Sequence, residues 1–415
     1  MSSFYKGHEV YSNSIAVNTR VIICGAPLRI DSYSGCMHQC AYCFSLNKSY
    51  KQKVSTDPSS NILVSNPEDI RKAYARAFQT NDDSILSKFL RSGFTAHFGG
   101  NSDPFQPCEE HLQITKEILD ITNKYNQKIV FSTKGFSTYG ADVRPELHAF
   151  QLSVTNLDHP EIEPGVSPIE RRYEFFRELL SKGFNVGIRM QPFIPNITTL
   201  EIVKKFISIA DEMGRRSQLK QFILEGLKEM HNKNNSQAAL IPKEMQGGPN
   251  GAIDPNCRLL LYYPFVKYFI ENKVTFSVSD NDIRYLNAKF DEQGNRSLQD
   301  CCCGDGLMGR STEADITYCV NHNLSRAQAA AQLQKAGLFD YKIFSGFVGF
   351  GSNGFNRSNW TKFAAQTLFH VYKQPTCNAS QHHPDDDAMA ALLARGCDYS
   401  ALGFDIGIPD IIRPE

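Results

Sequence analysis

No uninterrupted apolar run in this sequence approaches the length of a membrane span, so the reading contains no transmembrane helix and no membrane partner. Neither charge is in excess. Lys and Arg number 44 and Asp and Glu number 44, so no global basic field argues for indiscriminate nucleic-acid binding. The start, MSSFYKGHEV, lacks a charged stretch followed by an apolar one, and no repeat at solenoid period is visible. Apolar residues make up 41% and charged residues 21%, the balance of an ordinary folded chain, so disorder is not the default. Cysteine, by contrast, is abundant, at 12 in 415 residues. The spacings do not form an extracellular disulfide framework. A cytoplasmic location is therefore expected, and in that reducing compartment clustered cysteines favour metal or redox chemistry.

After a polar N-terminal arm over residues 1–20, short β-type runs alternate with amphipathic helical stretches over residues 21–287. In SNPEDIRKAYARAF the pattern predicts a helix with Asn66 as N-cap, Pro67 at its first position and acids in its first turn. GFTAHFGG predicts a strand ending in glycines, and CEEHLQITKEILDITNKY a single helix after it. KIVFST, FQLSVT, NVGIRMQPF, QFILEGL and VTFSVSD predict further strands, with helices in SPIERRYEFFRELLSKG, LEIVKKFISIADEMG and RLLLYYPFVKYFIENK. This alternation predicts an α/β fold with a parallel sheet covered by helices. Periodicity does not separate a barrel from a doubly wound sheet. In both, reactive groups gather at the carboxyl ends of the strands, where glycines and polar residues follow HF, FST and LSVT here. Past Asn287 the composition turns polar and glycine-rich, and residues 288–415 read as a C-terminal α+β extension, with substrate binding as its expected task.

The densest chemistry lies in DSYSGCMHQCAYCFS, where Cys36, Cys40 and Cys43 follow the spacing C-x3-C-x2-C. Three thiolates from one loop can ligate three irons of a 4Fe–4S cluster and leave the fourth iron open to another ligand. Zinc is the competing reading: a structural zinc site wants a fourth protein ligand, and His38 inside the loop can serve, so spacing alone leaves zinc open. Tyr42, just before Cys43, is positioned to pack near the cluster or its ligand.

This loop resembles that of the radical S-adenosylmethionine enzymes. The resemblance continues in GGNSDPFQP, FSTKG, QLSVTN, IEPGVSPIERR and GFNVGIRMQPFIP, which occur in the order found in spore photoproduct lyase and its relatives. It covers about Arg29–Pro195, with a weaker continuation through FILEGL, and implies a partial (β/α)6 barrel. It also implies that Cys36, Cys40 and Cys43 hold the cluster, whose open iron takes the amino and carboxylate groups of S-adenosylmethionine. Gly99, Gly100 and Asn101 would lie at the strand end that meets the methionine amino group, where absent side chains permit close approach. Lys134 matches the lysine that meets the carboxylate. Ser153 sits at a strand end that hydrogen-bonds the cofactor, with Thr155 or Asn156 as helpers, and Arg172 matches an arginine of the same region. Asp103 reads either as a site residue or as a turn former. The implied reaction is reductive cleavage of the sulfonium to methionine and a 5′-deoxyadenosyl radical, which abstracts hydrogen from a substrate carbon. A flavodoxin or ferredoxin is the implied reductant.

The pattern departs from the family in one respect that bears on outcome. The family's hydrogen-donating cysteine aligns with Gly100, and Cys108 lies five residues past Asp103. The resemblance therefore implies a relative with different outcome chemistry, with Cys108 and Cys303 as candidate catalytic thiols. Cys301, Cys302 and Cys303 are adjacent in QDCCCGDG and Cys319 follows; they are candidates for an auxiliary iron–sulfur or other metal site, or for a buried thiol group. HHPDDD reads as a helix start and GFVGFGSNG as a plain glycine loop. By analogy the expected substrate is a modified nucleobase or nucleotide in DNA, thymine-derived, undergoing lyase, isomerase or hypermodification chemistry. Phe105, the basic run NKSYKQK and Trp360 with Arg357 are candidate stacking and phosphate contacts. The alternatives are a peptide, amino acid or small-metabolite substrate with an auxiliary cluster, or a noncatalytic metal-stabilised binding protein.

Overall fold

The computed structural model describes residues 4–17, 26, 28–43, 62–82, 84–91, 93–157, 160–226, 240, 246–247, 252–253, 255–278, 288–297 and 307. The N-terminal arm contributes β1 (Phe4–Tyr5), β2 (His8–Tyr11) and β3 (Ile15–Val17). There follow β4 (Leu28–Ile30), β5 (Tyr33–Ser34), β6 (Leu63–Ser65), α1 (Pro67–Gln79), α2 (Ile85–Arg91), β7 (Ala96–Phe98), α3 (Glu109–Leu112) and α4 (Ile114–Thr122). Next come β8 (Ile129–Thr133), β9 (His148–Ser153), α5 (Ile169–Ser181), β10 (Val186–Phe193), α6 (Leu200–Glu212) and β11 (Leu219–Gly226). The last are β12 (Gln246–Gly247), β13 (Ala252–Ile253), α7 (Pro255–Glu271), β14 (Phe276–Val278), β15 (Lys289–Phe290) and β16 (Arg296–Ser297).

The main sheet has eight strands in the order β14-β11-β10-β9-β8-β7-β4-β3. From β4 to β14 every neighbouring pair is parallel, and only β3 runs antiparallel, against β4. Spatial order thus follows chain order, as in a barrel walked strand by strand, and the fold is an α/β partial barrel. The arm joins the main sheet through β3 on β4, and its β1 and β2 form a separate four-stranded sheet with β6 and β5, in the order β1-β2-β6-β5.

Local chemistry explains the element ends. Asn66 caps α1 by accepting from the Glu68 N–H at 3.0 Å, with Pro67 next and Glu68 and Asp69 in the first turn. The single helix expected over CEEHLQITKEILDITNKY is instead broken at Gln113, whose φ of 54° is left-handed. The cause is Glu109: its buried carboxylate accepts from the Thr115 and Lys116 N–H groups, each at 3.0 Å, and so caps α4 from within α3. Between β8 and β9 the described connection contains turns and no helix.

Alternate strand residues face opposite sides of the sheet. One set, including Ile30, Phe98, Phe131, Phe150, Ile188 and Leu224, is buried against the helices in one continuous core. The other set faces inward. Val130 and Ala149 pack there with Leu307, and Asn185 donates to the Leu307 carbonyl at 2.7 Å. Of the expected C-terminal extension, only residues 288–297 and 307 are described, so Cys301, Cys302, Cys303, Cys319, Arg357, Trp360 and the HHPDDD and GFVGFGSNG segments lie outside the described residues, as does NKSYKQK. No helix among the described residues is long and apolar enough to cross a membrane.

Candidate active site

The cysteine loop leaves β4 and is strapped across the carboxyl ends of the parallel strands. Met37 N–H donates to Gln106 Oε1 at 2.8 Å and Gln106 Nε2 returns to the Gly35 carbonyl at 3.2 Å, binding it to the loop after β7. Ala41 N–H donates to Ile162 O at 2.8 Å and Gly165 N–H to His38 O at 3.0 Å, binding it to the loop after β9. Gly165 has no room for a side chain: a Cβ would stand 2.1 Å from Met37 O and 2.8 Å from His38 Cα.

Asp103 is the buried node between these loops. Its Oδ1 accepts from Phe105 N–H at 2.9 Å and the Thr133 hydroxyl at 2.7 Å, and its Oδ2 from Lys134 N–H at 2.6 Å and His38 Nε2 at 3.1 Å. Burial alone would raise the Asp103 carboxyl, but the His38, Thr133 and Lys134 contacts outweigh it and hold it below the ordinary range. The two readings of Asp103 therefore merge: it shapes its turn and also ties the site together. His38 Nδ1 meets the Gly165 carbonyl at 3.0 Å, so both of its ring nitrogens are already committed, which removes the fourth ligand that a zinc site on this loop would take from it.

Cys36, Cys40 and Cys43 are free thiols. Cys40 and Tyr42 are buried in an apolar cluster with Ile162, Ile194 and Ile253, and Cys43 packs against it. Burial pushes Cys36 well above its ordinary value and Cys40 up to about 12, and neighbouring thiols add to the rise in both. Among the described residues no group of His, Cys, Asp or Glu side chains forms a site for a single metal ion. The donor chemistry fits an iron–sulfur cluster: three soft, unbridged sulfurs crowded in one loop, neutral when bare and deprotonated by a bound metal.

Beside the thiols stands Glu163, which the sequence reading did not single out. Its Oε1 accepts from Lys134 Nζ at 2.8 Å, from the Thr155 hydroxyl at 2.9 Å and from the Tyr42 hydroxyl. Arg172 Nη1 lies 3.6 Å from Oε2 and reaches the Ser153 carbonyl at 3.4 Å. Burial would raise Glu163, but Lys134 and Arg172 hold it at about 2. The Lys134 ammonium also lies 5.3 Å from the centre of the Tyr42 ring. Tyr42, Lys134, Thr155 and Arg172 are thus brought together around one carboxylate, and Ser153 joins them through its carbonyl on Arg172. Glu163 Oε2 and Arg172 Nε are both buried with no hydrogen-bond partner, leaving an acceptor and a donor open, which fits the zwitterionic end of an amino acid.

Gly99 has φ +100°, and a Cβ there would stand 2.5 Å from the Ser132 carbonyl and 2.7 Å from Pro104 Cδ, so the packing of this strand end against its own neighbours requires glycine. The Asn101 side chain and N–H turn to Asp31, at 3.2 and 3.0 Å. Cys108 stands apart at the start of α3. Its neighbours are Tyr33 and Glu109, and burial, then Glu109, pushes its thiol up to about 12. Phe105 is fully buried in the core, tilted 57° to Phe131 with ring centres 5.1 Å apart and stacked on Phe150 at 6.0 Å, and offers no free stacking face.

The missed residues had a faint signal. Strands buried on both faces read as apolar runs, so His97 in AHF, Gln151 in FQLS and Arg189 in GIRMQ are each out of pattern. Glu163 had none beyond lying inside IEPGVSPIERR.

Fold and site define a partial-barrel α/β protein with a three-cysteine loop at the carboxyl edge of its sheet. Among solved structures the chain is similar to a spore photoproduct lyase point variant, at 16% identity and TM-score 0.47, covering 65% of this chain and 80% of that one. It is similar to a lyase variant with dinucleoside spore photoproduct, at 15% identity and TM-score 0.45, covering 63% and 78%. It is also similar to Streptococcus suis SuiB bound to S-adenosylmethionine, at 12% identity and TM-score 0.40, covering 63% of this chain and 52% of SuiB. The chain thus spans about half the length of SuiB. No protein-family model and no curated protein matches it.

Proposed function

We propose that this chain is a radical S-adenosylmethionine enzyme, with Cys36, Cys40 and Cys43 holding a 4Fe–4S cluster and a nucleobase or nucleotide as substrate. The observation that carries the reading is the meeting of Tyr42, Lys134, Thr155 and Arg172 on the Glu163 carboxylate beside the thiols. A cluster held by Cys36, Cys40 and Cys43 would supply the electron for reductive cleavage of a bound S-adenosylmethionine. The chain's own residues bind and orient. Lys134 and Arg172 offer two cations to the methionine carboxylate, and Glu163 Oε2 offers an acceptor to the amino group. The apolar cluster of Ile162, Ile194 and Ile253 shields Cys40 from water. Residues 21–287 form the catalytic barrel in this reading, residues 288–415 assist with substrate, and a flavodoxin or ferredoxin delivers electrons.

Anaerobic reconstitution with iron and sulfide tests the reading. A brown protein that makes 5′-deoxyadenosine from S-adenosylmethionine and dithionite supports it. A colourless protein that retains zinc and cleaves nothing refutes it. Deuterated thymidine and oligonucleotides test the substrate: deuterium in the 5′-deoxyadenosine identifies the hydrogen donor, and none from any nucleic acid rejects the nucleobase.

A further inference from the structure

The inner face of the sheet carries a second polar arrangement, away from Glu163. His97 on β7, Ser132 on β8, Gln151 on β9 and Arg189 on β10 stand on four neighbouring strands. His97 Nε2 lies 2.7 Å from Ser132 Oγ, Ser132 Oγ lies 3.1 Å from Gln151 Oε1, and Arg189 Nη1 donates to the same oxygen at 3.0 Å.

Chemistry fixes the direction of each bond. A guanidinium only donates, so the Gln151 atom facing Arg189 is its oxygen, and a carboxamide oxygen only accepts. The Ser132 hydroxyl therefore commits its proton to Gln151. Toward His97 the same hydroxyl can only accept, which sets the imidazole proton on Nε2. The ring is neutral: burial, then Arg189 and Arg29, brings its pKa down to about 3. Nδ1 is left with a bare lone pair and has no hydrogen-bond partner among the described residues. A Cβ built on Gly100 would stand 3.6 Å from Nδ1 and 3.3 Å from Arg29 Cδ, so this acceptor and the methylenes of Arg29 border the same small space. The Arg29 guanidinium holds Asp31 Oδ2 through Nε at 2.8 Å and reaches the Tyr11 hydroxyl and Asn13 carbonyl through Nη2 at 3.5 and 3.4 Å, which leaves Nη1 as its donor without a partner among the described residues.

We propose that His97 Nδ1 and Arg29 Nη1 form a substrate-recognition pair for the edge of a lactam or imide ring. The ring N–H donates to Nδ1 and the adjacent carbonyl accepts from Arg29. A carboxylate or phosphate set against Nδ1 would oppose lone pair to lone pair, so the pair selects a neutral donor over an anion. A lactam edge supplies donor and acceptor side by side in one plane, matching a planar guanidinium beside a planar imidazole. The inference rests on the radical-enzyme reading of this barrel and adds what the substrate must present to it.

Such an edge can belong to a pyrimidine or to a cyclic dipeptide, and two probes separate the sources: thymidine and cyclo(Gly-Gly). Each is titrated, beside its N-methylated form, into reconstituted protein with S-adenosylmethionine and followed by saturation-transfer NMR. Methylation at thymidine N3, or at both ring nitrogens of the dipeptide because either one alone leaves an intact lactam edge, is expected to weaken binding about tenfold, the effect of losing one buried hydrogen bond. In His97→Leu that ratio falls to about one. Discrimination that depends on His97, with either probe, supports the pair and names the source. No binding of either parent compound, or equal binding of the methylated forms by the unaltered protein, overturns it. 5′-Deoxyadenosine formed in the same samples reads the enzyme class separately, so a failed recognition pair and a failed enzyme assignment give different results.

Discussion

His38 and Asp103, 65 positions apart in the chain, meet through a 3.1 Å contact between Nε2 and Oδ2 in the buried seam that joins the cysteine loop to the ends of β7 and β8. Asp103→Asn keeps the shape of the node and leaves no cavity, but every partner of the carboxylate is a donor, so its new N–H₂ must face donors. Loss of a buried, fully used carboxylate is expected to cost about 3 kcal/mol. The urea midpoint should fall at unchanged m-value. An unshifted midpoint would show that the seam is loose.

Gly165→Ala tests the same seam from its other side. The new methyl would enter the Met37 carbonyl and the His38 backbone, neither of which is the yielding tip of a side chain. The cysteine loop must shift, at about 1–3 kcal/mol. Because the displaced residues flank Cys36 and Cys40, iron bound per chain after reconstitution should drop as well. Gly140→Ala, where nothing lies within 4 Å, is the control for a mere glycine effect, though its φ of +75° adds backbone strain of its own.

The three loop thiols should behave as a set. Cys36→Ala, Cys40→Ala and Cys43→Ala are each expected to lose the brown absorbance and most of the bound iron. Cys108→Ala should keep its iron, because that thiol sits with Tyr33 and Glu109. Iron and sulfide analysis of the four proteins decides this.

What the sequence revealed was local. The α1 cap needs only Asn66, Pro67 and the following acids, and the cysteine loop announces itself within a few residues of chain. The strand-and-helix alternation likewise survives translation into structure. Glu163 and Asp103 are different in kind: each draws partners from separate segments, and which segments meet is decided by register across the sheet. The break at Gln113 was hidden for a related reason. Apolar periodicity runs straight through it, and only the inward turn of Glu109 toward α4 interrupts the helix.

Lys134 and Glu163 offer a test of coupling. Glu163→Gln leaves Lys134 and Arg172 as buried cations without a counter-charge, and Lys134→Met leaves Glu163 with Arg172 alone. Each single change is expected to cost about 3 kcal/mol, and the double variant less than the two together. Urea titrations of the four proteins of the cycle supply the coupling energy. Strict additivity would mean that the two groups do not support one another.

His148 makes an acid-lability that can be dissected. It is fully buried beneath Phe131, its ring 5.4 Å from that ring, and its Nδ1 accepts from the Arg144 N–H at 2.9 Å, a role only the unprotonated nitrogen can fill. Burial brings its pKa down to about 4. In the unfolded chain the imidazole takes a proton near pH 6.5, whereas in the folded chain it does not until the pH nears its lowered value. Across that window the unfolded state binds more protons, so stability is fully present above pH 6.5 and is lost as the pH falls. The slope is at most about 1.4 kcal/mol per pH unit, or roughly 2 kcal/mol between pH 7 and pH 5. His148→Asn retains an acceptor for Arg144 and cannot titrate, so its stability loss over that interval should be smaller than the unaltered protein's by about this amount. Other groups titrate alike in both proteins and cancel in the difference. Urea midpoints at pH 7 and pH 5 measure it, and equal losses in the two proteins would mean that the ring titrates in the folded chain as it does in the unfolded one.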